Sequence, residues 1–159
     1  MNKRTVLKAI LAALQAELQT YVRAAKSARA EATDEQSRAE NKYDTRGLEA
    51  SYLAAGQVRQ VVELESAIAA FAALPVRKFG PTESIGLGAL VELEQNGERM
   101  LYFIGPSAGG TEVKCGKREV LVITPQSPLG GQLQGRQQGE QLELNFAGKR
   151  QRTRVVSVI

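Results

Sequence analysis

Glycine and proline divide this 159-residue chain in two. Of its 15 glycines only Gly47 and Gly56 precede residue 75, and all five prolines (Pro75, Pro81, Pro106, Pro125 and Pro128) lie at or beyond that point. In a helix interior glycine costs about 1 kcal/mol and proline about 3 kcal/mol relative to alanine, whereas tight turns depend on both. The shift marks a boundary in the segment 75–82. It predicts a helical domain over residues 1–75, a linker over 76–82 and a strand-rich domain over 83–159.

In the first part the apolar residues follow a helical period. Leu7, Leu11, Leu14, Leu18, Tyr21 and Ala25 are spaced by alternating steps of four and three, with Ile10 and Val22 widening the stripe. The pattern stops near Thr33, whose hydroxyl suits the N-cap of a further turn. A second pattern runs from Glu40 to Leu74 through Leu48, Tyr52, Ala55, Val58, Val61, Leu64, Ile68 and Phe71, and Pro75 terminates it. At 1.5 Å per residue the two helices would be roughly 40 and 50 Å long. Neither is stable alone, so their seams are expected to pair as an antiparallel coiled-coil hairpin.

The connection between them is acidic. From Glu31 to Glu49 the acids Glu31, Asp34, Glu35, Glu40, Asp44 and Glu49 face only Arg38, Lys42 and Arg46, in a chain whose net charge is +4. Two readings stay open for Asp34, Glu35 and Glu40: solvated or helix-capping charges, or carboxylates presented at the end of a two-helix rod. Arg23, Lys26, Arg29, Arg38, Lys42 and Arg46 are spaced so that several could share a helix face nearby.

Several chemistries are excluded by what the chain lacks. It contains no histidine and a single cysteine, Cys115. Ser–His and Cys–His nucleophiles, His-ligated metals and an intramolecular disulfide are therefore impossible. The N-terminus resembles a signal peptide only superficially, because Lys8, Gln15 and Glu17 interrupt its apolar residues. No apolar run reaches the ~18 residues a membrane span requires. A soluble, cytoplasmic, monomeric protein with no membrane partner is expected.

After the linker the apolar period changes from 3.6 to 2. Ala89–Glu94 and Arg99–Ile104 read as a hairpin around an Asn96-Gly97 turn. Thr111–Cys115 reads as a short strand, and the apolar run Glu119–Ile123 as a buried one. Ser127 and Pro128 then have the signature of an N-cap and first helical residue for a short helix, Leu129–Gly135. Gln141–Phe146 and Thr153–Ile159 close the domain across a turn at Gly148. The fold class is α+β: a helical hairpin followed by an antiparallel sheet with one short helix. Lys149, Arg150, Arg152 and Arg154 form a basic cluster that either contacts an acidic partner or guards an edge strand.

The run Val122-Ile123-Thr124-Pro125-Gln126-Ser127-Pro128-Leu129-Gly130-Gly131-Gln132-Leu133-Gln134-Gly135, with Gly139-Glu140 beyond it, resembles the signature of the bacterial Gre-factor family. Leu101-Tyr102-Phe103-Ile104-Gly105 is similar to the family's strand that ends at a glycine. Ala39-Glu40-Asn41 and Glu49 resemble its tip region in type and spacing, and Lys42-Tyr43-Asp44-Thr45-Arg46 is closer to a GreA/GreB-like branch than to GreA itself. The resemblance covers nearly the whole chain.

It implies an FKBP-like C-terminal domain without isomerase activity, docked on the largest catalytic subunit of RNA polymerase at the rim of the secondary channel. Gln126, Ser127 and Pro128 would belong to the docking surface. The helical hairpin would enter the channel, where Asp34, Glu35 and Glu40 would help hold a magnesium ion shared with the polymerase. Arg38, Lys42 and Arg46 would face the backtracked RNA 3′ end. The protein would be no enzyme and would carry no cofactor of its own; it would lend carboxylates to cleavage of the transcript by the polymerase. The chain departs from the family where the first tip aspartate aligns with Ser37, a poor magnesium ligand. That leaves an alternative, a non-cleaving modulator or inhibitor acting in the same channel. Readings outside the family are a peptidyl-prolyl isomerase, disfavoured by the scarcity of aromatics, and a coiled-coil dimerisation adaptor.

Overall fold

The structure, a computed structural model, describes the backbone of residues 1–33 and 46–159 and the side chains of residues 1–24, 26, 27, 30 and 56–159. Helix α1 spans Lys3–Thr33 and helix α2 spans Arg46–Ala72. Asn2 opens α1: its Oδ1 accepts from the Arg4 amide at 2.9 Å, and its carbonyl accepts from the Thr5 and Val6 amides at 3.0 and 3.2 Å. Helix α2 ends three residues before Pro75. Ala73 and Leu74 still donate to Ala69 and Phe71 at 3.1 and 3.2 Å, a tightening last turn, because the residue before a proline is pushed out of helical conformation.

The buried stripe on α1 is Lys3, Val6, Leu7, Ile10 and Leu14. Ile10 therefore lies at the centre of the stripe, while Leu11, expected on the seam, is half-buried. On α2 the buried side chains are Leu64, Ala67 and Phe71. Two compact units result. Met1–Ala13 joins Ala69–Ile159 in one, and Leu14–Ile68 forms the other.

The sheet in the first unit has six strands: β1 (Leu90–Gln95), β2 (Glu98–Ile104), β3 (Glu112–Cys115), β4 (Arg118–Ile123), β5 (Gln141–Phe146) and β6 (Lys149–Val158). Their order is β3-β4-β2-β1-β6-β5. The β1–β2 hairpin turns at Asn96 and Gly97, with φ of 52° and 79°, the left-handed pair that the Asn-Gly signal requires. The sheet is mixed, which corrects the antiparallel expectation. After β2 the chain crosses to the edge as β3 and folds back into β4 between β3 and β2. Because β4 is antiparallel to β3, it runs parallel to β2, with Leu101 opposite Val120 and Phe103 opposite Val122.

Both faces of the sheet are covered. Val91, Leu93, Tyr102, Ile104, Ile123 and Val155 pack with Leu133 of the short helix α3 (Pro128–Leu133), with Leu144, with Phe79 from the linker and with Ile85 just beyond it. On the opposite face the Phe71 ring lies 6.2 Å from that of Phe103. Covering on both sides explains why β4 reads as a continuous apolar run.

Strand β6 starts at Lys149, four residues before the expected Thr153. It lies between β1 and β5, but β1 pairs only with residues 153–158, so Arg154 is interior to the sheet while Lys149, Arg150 and Arg152 are paired with β5 alone.

Candidate functional site

The C-terminal motif builds a rigid corner between β4 and α3. Ser127 is extended (φ −68°, ψ 155°); its hydroxyl donates to the Thr124 carbonyl at 2.7 Å and accepts from the Gly130 amide at 3.1 Å. Pro128 follows at the first helical position, where its missing N–H has no helical partner to lose. The Thr124 carbonyl also accepts from the Ser127 amide at 3.0 Å. The motif's glycine is needed here, since a Cβ on Gly130 would fall 1.8 Å from the Thr124 carbonyl oxygen. Leu133 anchors the far end of α3 in the core, and Gln132 holds β5 through the Asn145 amide (2.8 Å) and carbonyl (3.3 Å).

With its backbone held this way, the corner presents Gln126 and Pro128 to solvent and keeps Ser127 half-buried. The loop 105–111 runs alongside. Gly105 donates to the Ile123 carbonyl and Gly110 to that of Val122, both at 2.8 Å. Ser127 thus acts as a cap, and the outward groups of the proposed docking residues are the Gln126 amide and the Pro128 ring.

The expected tip residues Asp34, Glu35, Glu40, Arg38 and Lys42, and Ser37 with them, lie outside the described residues. Arg46 is the first residue of α2, and Arg23 and Lys26 are exposed on α1. Among the described residues no three His, Cys, Asp or Glu side chains gather as a metal site, and no helix is long and apolar enough to cross a membrane. In the basic cluster, Arg154 pairs with Glu94 at 3.3 Å and Arg150 with Glu143 at 3.7 Å, while Lys149 and Arg152 are exposed.

Two charged arrangements gave no signal in the sequence. Glu92 is a nearly buried carboxylate that pairs with Arg118 and accepts from Ser157 at 3.5 Å, with Arg99 at 3.9 Å. In the sequence it is one polar position of an alternating strand, and its partners come from β4, β2 and β6. The second arrangement surrounds Phe79. The Nζ of Lys3 donates to the Gly88 carbonyl at 3.1 Å and sits 4.6 Å from the ring centroid, and the Arg77 guanidinium lies 4.0 Å from the same ring. Arg77 also pairs with Glu83. Burial, then the charge of Arg77, lowers Lys3 to a pKa of about 8, with Glu83 opposing. The Gly80 amide, then Arg77, holds Glu83 below the usual carboxylate range.

No protein-family model matches the sequence, and no curated protein does. Among solved structures, the chain is similar to the GreA factor homolog 1 (Gfh1) of Thermus thermophilus, with 25% identity over 96% of each chain and a TM-score of 0.40. Thermus aquaticus Gfh1 gives 25% identity over 95% of this chain and 94% of that one, with a TM-score of 0.41. A GreA/GreB elongation factor from Nitrosomonas europaea gives 20% identity over 65% of this chain and 90% of that one, with a TM-score of 0.37. Superpositions this loose leave function to be argued from the chain's own residues. Over nearly its whole length the chain is thus similar to Gfh1 proteins, and its own motifs resemble those of the Gre factors.

Proposed function

We propose that this protein is a transcription elongation factor that binds RNA polymerase at the rim of the secondary channel. Its acidic segment would assist cleavage of backtracked transcripts. The observation that carries the reading is the corner at Gln126–Pro128. Ser127 and Gly130 lock its backbone, so two exposed groups stand on a rigid support, the arrangement a recognition surface needs. The partner is the largest catalytic subunit of the polymerase, and the acidic segment reaches the RNA 3′ end inside the channel.

Asp34, Glu35 and Glu40 fit a shared magnesium ion by donor chemistry, since carboxylate oxygens suit a hard cation that keeps several waters. When bound, the ion supplies an activated water and stabilises the leaving oxygen of the phosphodiester. The chain's own contribution is carboxylate ligands from the acidic segment between α1 and α2, with Arg38, Lys42 and Arg46 holding RNA phosphates through salt-sensitive contacts. On this reading it acts as an accessory to the polymerase site.

Ser37 favours a second reading, a modulator that occupies the channel without supporting cleavage. The deciding experiment measures transcript cleavage in purified backtracked elongation complexes. The wild-type protein is compared with Asp34→Ala/Glu35→Ala, Glu40→Ala and Gln126→Ala/Pro128→Ala. Cleavage that is lost in the tip variants while binding is retained supports the first reading. Binding without cleavage by the wild-type protein supports the second. Binding unaffected by the Gln126/Pro128 pair removes the docking assignment.

A further inference from the structure

We propose that the cleft between the first turn of α1 and residues 76–78 binds a small polyphosphate anion, with Arg4 and Lys78 as its direct ligands. The cleft encloses about 410 Å³ and is lined by Lys3, Arg4, Arg77 and Lys78 with Val76 and Asn2 between them; Met1 and Ile159 complete the lining. That volume lies within the range of small-molecule pockets. The site is independent of the polymerase reading, since it involves neither the acidic segment nor the corner at Gln126.

Charge balance carries the argument. The first turn of a helix favours acidic side chains because its free amides form the positive end of the dipole. Helix α1 has no acid there and begins with Lys3 and Arg4. Lys3 is 6% exposed and fixed on the Gly88 carbonyl and the Phe79 ring, and the Arg77 guanidinium lies over the same ring and pairs with Glu83. The carboxylate of Glu83 is already engaged by Arg77 and by the Gly80 amide at 3.0 Å, and the cleft lining itself includes no acidic side chain. Burial depresses the pKa of Lys3 first, and the neighbouring charge of Arg77 lowers it further.

The side chains of Arg4 and Lys78 are exposed and have no partner among the described residues. The larger cleft along β2, β3 and β4, about 650 Å³, is different. Three of its cations, Arg99, Lys114 and Arg118, are already paired with Glu92, Glu94 or Glu119, and Glu112 and Glu119 add carboxylates to the lining beside the one unpaired cation there among the described residues, Lys117. Fixed cations behind two free ones suit a ligand with more than one phosphoryl group. The guanidinium fork of Arg4 can take two oxygens of one group, and the Lys78 ammonium can reach another as a point charge.

The test is calorimetric titration of the full chain with inorganic pyrophosphate, for the wild-type protein, Arg4→Ala/Lys78→Ala and Arg150→Ala/Arg152→Ala. All four side chains are exposed, so both variants should fold, and the second removes equal charge elsewhere. Pyrophosphate should bind the wild-type protein, with affinity lowered at least about tenfold in the cleft variant and within about twofold in the control. Absence of binding to the wild-type protein, or equal loss in both variants, would overturn the site. Inorganic phosphate binding as tightly as pyrophosphate would overturn the assignment to polyphosphate.

Discussion

A side chain on Gly105 would occupy the space that the ring of Phe71 already fills: its Cβ would lie 2.6 Å from the Phe71 Cζ and 2.9 Å from the Val122 Cγ1. The glycine that closes β2 is therefore a packing requirement set by the end of α2. Gly105→Ala should destabilise the protein by about 2 kcal/mol, the range of core overpacking. Combining it with Phe71→Leu, which removes the clashing ring edge, should recover part of that loss. Urea denaturation of the single and double variants checks this, and simple additivity would show that the two sites do not share the space.

Gly130 should tolerate substitution less well. Its prospective Cβ meets a backbone carbonyl, which cannot rotate away as a side chain can. Gly130→Ala should exceed Gly105→Ala in cost and displace the corner at Gln126–Pro128. Ser127→Ala, which removes only the cap, should cost about 1 kcal/mol. If the corner is the docking surface, polymerase affinity should fall further for Gly130→Ala than for Ser127→Ala. Equal affinities in a direct binding assay would dissociate the corner from docking.

Glu92→Ala leaves Arg118 and Arg99 facing a gap on the sheet without their carboxylate. Both arginines are partly exposed and can turn to water, so the loss should be about 2 kcal/mol, below the cost of orphaning a fully buried charge. Glu94→Ala, which removes a carboxylate that is itself more exposed (29% against 11% for Glu92), should cost less than about 1 kcal/mol. Denaturation in low and high salt would show whether the order holds.

Lys3 sets a pH dependence. Its pKa in the folded chain is about 8, below the 10.5 of an unperturbed lysine. Between these values the unfolded chain binds more protons, so the Lys3 contribution to stability rises with pH across that window. Below about pH 8 both states are protonated and the full penalty of burying the charge is felt. The thermal stability of the wild-type protein relative to Lys3→Met should therefore rise from pH 8 to pH 10. A difference that stays flat would mean that the ammonium is not held at low pKa.

Much of the fold was legible in the sequence because its signals are local. The Asn96-Gly97 turn, the Ser127 cap, Pro128 at the first helical position and the apolar run of β4 each depend on residues adjacent in the chain, and each stands where its chemistry puts it. The early start of β6 was missed because Lys149–Arg152 lacks apolar alternation; pairing with β5, from Phe146 opposite Lys149 to Glu143 opposite Arg152, makes it strand. The candidate docking residues were legible as a motif, and Ser127 as a cap, but not that Gln126 and Pro128 would be the exposed members of the three.

By itself, then, the chain determined where helices give way to strands and which chemistry it cannot perform, since glycine, proline and histidine act through their own covalent structure. Tertiary structure alone decided that β4 runs parallel to β2, that Glu92 meets arginines from two other strands, and that Lys3 and Arg77 share the Phe79 ring. These relationships join residues far apart in sequence. Their energies arise from burial, register and charge proximity, which exist only once the chain has closed on itself.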